Sequence, residues 1–253
     1  MLILTQFIFR LSFGMALAMA CTPARVVSSG YYRNNLYVLL GLNVLASVAA
    51  RMGFSKEPLP LWPPLTAAIL SYLGGVLWLY ELPRPGKAAL GAISAVAIVG
   101  AWMAGAAGQT ASPVARALEW CDPVGGGLVL GVTMAAMLLG HWHLNAPGMS
   151  LNPLKRLVLG MGLVIALRAA LAGAGLAADF AAEGPFALER WLFLSLRWLA
   201  GLIGAGIAAA MAWQTLKIPN TQSATGILYV GVIVTFVGEL TSQLLSRESL
   251  FPL

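Results

Sequence analysis

Charge is what this chain has least of. Lysine, arginine, aspartate and glutamate together make up 9% of its 253 residues, where a soluble domain carries about 25%. A water-exposed globule needs a polar surface, so the deficit excludes one and makes the lipid bilayer the principal partner. Histidine and cysteine are nearly missing as well, with two of each. Cys21 and Cys121 form no C-x-x-C and no disulfide framework, and the topology below puts them at opposite membrane faces. There is no G-x-S-x-G, H-E-x-x-H or C-x-x-C-H, and no pair of carboxylates inside an apolar run. Catalysis by a recognisable constellation is therefore not expected. The 15 basic residues outnumber the 9 acidic ones, but they form no stripe or run, which argues against nucleic acid as a partner.

What is there in abundance is apolar sequence, 59% of the chain. Spanning the hydrocarbon takes roughly 20 apolar residues, and the pattern predicts an all-α bundle of about eight spans with short loops and no large soluble domain. Their expected limits are 3–21, 34–50, 64–80, 87–107, 124–144, 153–175, 191–213 and 223–245. Seven spans would result if the short second or third segment were interfacial. Residues 3–21 read as a retained first span and not a cleaved signal, since no basic stretch precedes them and Arg10 interrupts the apolar run. Pro63-Pro64 and Asn152-Pro153 open helices whose first turns need no proline N–H. Asp122-Pro123 reads the same way, as N-cap and first residue of the fifth span, after a loop 108–123 with a short interfacial helix around Val114–Trp120. An acidic loop is expected over Ala177–Glu189.

With eight spans the termini share a side with Arg51, Lys56, Arg116, Arg190 and Arg247. The opposite side carries Arg25, Arg33, Arg84, Lys87, Lys155, Arg156 and Lys217. That bias places the termini at the periplasmic or exterior face of a cell inner (cytoplasmic) membrane.

Two constellations carry chemical interest. Arg10, Arg168, Arg197 and Glu239 each lie one or more turns inside an apolar run. A charge there costs about 2.5–3.5 kcal/mol at a helix centre on insertion scales, so it faces the bundle interior and is paired. All four fall in the terminus-side half of the predicted topology, which allows one shared cluster. Three arginines against one glutamate leave positive charge that a carboxylate, a phosphate head group or a haem propionate would relieve. Against this stands the plain alternative that Glu239 pairs with one arginine while the others snorkel. Glu239 shares a face with Thr235, Ser242 and Gln243, and Arg197 with Gly201, Gly204 and Ala208.

The second constellation is His141 and His143. Two residues apart on a helix is about 200°, so the rings point to opposite faces and cannot share a metal. Met134, Met137 and His141 fall on one face, and thioether plus imidazole suits Cu(I), or one side of a haem. The competing account is an interfacial histidine beside Trp142 and methionines that fill an apolar helix. Gly125-Gly126-Gly127, Gly131 and Ala135 make a small-residue ridge for close helix packing. No Lys-Ser/Thr follows the glycines, so this is no phosphate loop.

Three functions are compatible with this sequence. The first is binding or moving an anionic small molecule or lipid head group through the intramembrane arginines. The second is a redox subunit holding haem or copper through His141 among partner subunits of a larger membrane complex. The third is a membrane anchor or assembly scaffold.

Overall fold

The computed structural model describes residues 2–52, 60–105, 113–146, 148–183, 188–218, 220–247, 249 and 251. The chain is all-helical: α1 (Leu2–Cys21), α2 (Ser29–Met52), α3 (Trp62–Leu79), α4 (Pro83–Met103), α5 (Pro113–Asn145), α6 (Asn152–Glu183), α7 (Leu188–Leu196), a π-helical segment (Arg197–Gly204), α8 (Ala205–Lys217) and α9 (Thr221–Leu245). The run from α7 through the π segment to α8 is continuous and counts as one span, so eight helices among the described residues are long and apolar enough to cross a membrane. Nothing larger than a loop lies between them.

The packing resolves into two rings of four. In the first, α1 packs on α2, α2 on α3, α3 on α4 and α4 back on α1. In the second, α5 packs on α6, α6 on α8, α8 on α9 and α9 back on α5. The seam between the rings is α1 against α5, and two glycine positions explain how close it is. A Cβ on Gly14 would stand 1.8 Å from the carbonyl oxygen of Gly127, and one on Gly131 would stand 1.9 Å from the carbonyl carbon of Gly14. Only hydrogen fits at such a backbone crossing, which is the role expected of a small-residue ridge. Because α1 and α5 sit at the seam, both are largely buried, whereas α3, α4 and α6 show broad faces of exposed apolar side chains such as Ile69, Leu163 and Leu167.

Several expected limits change. The second span gains a turn and more at its start and is not short. The fourth is predicted to run to 107 but its helix ends at Met103, and 106–107 lie outside the described residues, as do Lys56 and 108–112. The separate interfacial helix around Val114–Trp120 does not exist as such, because α5 begins at Pro113 and runs without interruption through Pro123 to Asn145. Most of the acidic loop is also helical: α6 continues to Glu183 and α7 begins at Leu188, with 184–187 outside the described residues. At 33 and 32 residues, α5 and α6 reach about 50 Å, well beyond a hydrocarbon core of about 30 Å.

Candidate functional site: a buried five-residue ionic network

The four intramembrane charges do meet, and a fifth joins them. Arg168 of α6 lies at the centre. Its Nε donates to Glu239 Oε1 at 3.1 Å and its Nη2 to Glu239 Oε2 at 3.1 Å, the side-on fork that a guanidinium offers a carboxylate. Nη2 also donates to Ser242 Oγ at 3.0 Å and lies 2.7 Å from Asp122 Oδ1. The second oxygen of Asp122 accepts from Arg10 Nη2 at 2.5 Å. On the far side, Arg197 Nη1 stands 2.9 Å from Glu239 Oε1. The chain of contacts is therefore Arg10–Asp122–Arg168–Glu239–Arg197, contributed by α1, α5, α6, α9 and the π segment. Every member is at most 7% exposed, so none snorkels to an interface.

Backbone close to backbone makes the room. A Cβ on Gly126 would stand 2.5 Å from Glu239 Oε2 and 3.0 Å from Arg10 Nη1, and one on Gly125 would stand 3.4 Å from Arg168 Cδ. The triple glycine of α5 thus has two functions: Gly127 admits α1, while Gly125 and Gly126 leave the volume that the charged groups fill. On the other side of the network a Cβ on Gly238 would stand 2.3 Å from the Cα of Gly201. That contact lets the π segment lie directly on α9 and brings Arg197, one turn before Gly201, to Glu239, the residue after Gly238. Arg197 is the first residue of the π-helical stretch, a widened winding that recurs at functional sites and is costly enough to be rare.

Charge and hydrogen bonding do not close completely. Three arginines face two carboxylates, which leaves one positive charge within a low-dielectric interior. Among the described residues, no acceptor meets Arg10 Nε and Nη1 or Arg197 Nε and Nη2, while Arg197 Nη1 has only its ion pair with Glu239. Arg168 by contrast is engaged at both Nε and Nη2. The hydroxyl of Thr235 and both amide atoms of Gln243, one turn to either side of Glu239, are likewise buried without a partner.

Asp122 is the residue sequence reading misplaced. As an N-cap beside Pro123 it belonged at the membrane surface; in the structure it sits inside α5 and is buried between two arginines. Pro123 gives up only its own N–H, a loss that membrane helices tolerate. The available signal was Pro113, an equally good first-turn proline ten residues earlier, with no helix breaker between the two.

The histidines stand apart from this network. His141 is exposed and His143 is buried, as their spacing predicted. His143 is filled on both sides, with Nδ1 2.8 Å from the Leu139 carbonyl oxygen and Nε2 3.2 Å from that of Ser150. His141 Nδ1 lies 3.2 Å from the Tyr229 hydroxyl on the outer surface of α9. Met137 is buried in the main hydrophobic core, while Met134 is half-buried at its edge. His141 is thus exposed at the surface while Met137, one turn before it, is buried. No group of three or more His, Cys, Asp or Glu side chains with metal-holding geometry occurs among the described residues. Cys21 and Cys121 are free thiols.

Comparison with protein-family models, with curated proteins and with solved structures yields no match for this chain, so its reading rests on the eight-helix fold and the ionic network themselves.

Proposed function

We propose that this multi-pass membrane protein binds or moves an anionic small molecule or lipid head group through the intramembrane arginines Arg10, Arg168 and Arg197. The observation that carries this reading is the uncompensated half of the network: one net positive charge, with guanidinium donors of Arg10 and Arg197 that meet no acceptor. A buried donor left unmet costs about 1–3 kcal/mol, and more for a charged group, so an anion that reaches these nitrogens recovers that cost along with its own Coulombic gain. Arg168 has the supporting role. Its Nε and Nη2 already engage Glu239 and Ser242, so it holds Glu239 in place while Arg197 and Arg10 offer the free edges. The π winding at Arg197 is a natural place for the helix to rewind by a residue and admit the guest.

The saturated core, Asp122–Arg168–Glu239, also favours the scaffold reading, in which the network only fixes helix registry. One experiment separates the two. Purified protein is titrated with acetate and with inorganic phosphate while its thermal unfolding is followed in detergent, alongside Arg197→Gln. Anion binding raises the unfolding temperature of the wild type in a saturable way, and Arg197→Gln, still folded, loses that rise. If neither anion shifts the wild type, or if Arg197→Gln responds as the wild type does, the anion reading is withdrawn and the scaffold stands.

A further inference from the structure

At the opposite end of the bundle lies a second cationic feature that the ionic network does not use. The loop after α1 and the turn between α3 and α4 border an open recess of about 630 Å³ whose walls carry Arg25, Arg84 and Lys87 beside Leu82, Pro83 and Pro85. No carboxylate lines it, and among the described residues none of the three cations has an ion-pair partner. The nearest acid in sequence is Glu81, held at φ 53°, a backbone region that L-residues seldom adopt. Glu81 accepts a hydrogen bond from the Ser29 hydroxyl at 3.4 Å and lines an adjoining cavity of about 430 Å³. Glu81 shares that adjoining cavity with Arg25 and forms no ion pair with any of the three cations among the described residues.

The backbone adds to the same field. Helix α4 starts here with Leu82 as its N-cap, and no side chain caps it, so the positive end of the helix dipole opens beside Arg84. Leu82 in the wall is 46% exposed, and Tyr80, two residues before it, is 71% exposed. A cationic recess rimmed by exposed apolar side chains, at the level where spans end, matches a molecule that is anionic at one end and hydrocarbon at the other.

We propose that this recess is a binding site for the phosphate head group of an anionic phospholipid, with Arg25, Arg84 and Lys87 on the phosphate and Leu82 and Tyr80 against the upper acyl chains. Basic pockets between membrane helices recognise acidic lipid head groups by this combination, and the volume is of the size that ligand pockets have. The site is independent of Arg197 and of the function proposed above.

The test uses detergent-purified, delipidated full-length protein and native mass spectrometry with phosphatidylglycerol, with phosphatidylcholine as the neutral counterpart. The wild type retains phosphatidylglycerol in preference to phosphatidylcholine. The triple variant Arg25→Gln/Arg84→Gln/Lys87→Gln weakens that retention about a hundredfold, the loss of three cationic contacts. A charge-matched control, Lys155→Gln/Arg156→Gln/Lys217→Gln, removes three cations from the same side outside the recess and retains the lipid, as does Arg197→Gln. Equal losses in both triple variants would reduce the effect to general surface charge and overturn the site. Complete displacement of the lipid by inorganic phosphate would overturn the lipid assignment, because the recess would then take a free oxyanion.

Discussion

The two four-helix rings solve the same problem, filling an interior in lipid, by different means. The ring of α1–α4 is neutral inside: Tyr32 stacks on Trp78 with ring centroids 3.9 Å apart, Asn43 donates to Ser12 Oγ at 3.1 Å, and Ser94 donates to the Phe13 carbonyl at 3.3 Å. Its polar groups are few, uncharged and mostly satisfied within one or two helices. The ring of α5–α9 instead holds five buried charged residues among those described, Asp122, Arg168, Asp179, Arg197 and Glu239, and Arg10 joins their network across the seam. Neutral packing tolerates the loss of one contact, since each interhelical hydrogen bond is worth about 0.6 kcal/mol. An ionic network does not tolerate the loss of a carboxylate, because that leaves its arginines charged and unpaired in low dielectric. The first ring is therefore built to persist, and the second to depend on its complete set of charges.

The strongest way to break that contrast is Glu239→Ala. It strips two arginines of their shared carboxylate, and the expected loss is about 3–5 kcal/mol, read as a large fall in unfolding temperature in detergent. A loss no greater than that of a neutral-ring substitution would show the network to be well hydrated and the contrast between the rings false. Next comes the seam. Gly131→Ala places a Cβ against the backbone of Gly14, where no side chain can yield, so α1 and α5 must separate at a cost of about 1–3 kcal/mol. Unchanged stability would mean that the seam is loose. In the neutral ring, Ser12→Ala removes one acceptor from Asn43, with an expected loss of about 0.6 kcal/mol, close to the resolution of a careful unfolding comparison. Smallest of all is His141→Ala at the lipid-facing surface, expected within about 0.5 kcal/mol. The same variant checks the ligand geometry: visible spectra of the wild type and His141→Ala should be superimposable, and an absorption band present only in the wild type would return His141 to consideration as a cofactor ligand.

The membrane bundle was legible from composition and run length. The intramembrane position of Arg10, Arg168, Arg197 and Glu239 could be read because a charge inside an apolar run is conspicuous wherever its partner lies. The opposite faces of His141 and His143 followed from helical spacing alone. Asp122 was not conspicuous, since an aspartate before a proline is locally satisfied as a helix start and nothing nearby contradicts that choice. The extra turns of α6 were hidden for a similar reason, since Asp179 looks like a loop residue until the fold buries it.

Sequence by itself therefore determined the lipid environment, the apolar spans and four of the five charges inside them, because the cost of exposing polar groups to hydrocarbon falls on each residue separately. Only the tertiary structure decided who pairs with whom. Asp122 is buried because Arg10 and Arg168 arrive from α1 and α6, 112 and 46 residues away. Gly125, Gly126, Gly201 and Gly238 set how closely these helices approach, and so where Arg168 and Arg197 reach Glu239. Those distances depend on backbone contacts between segments far apart in the chain, and no local pattern encodes them.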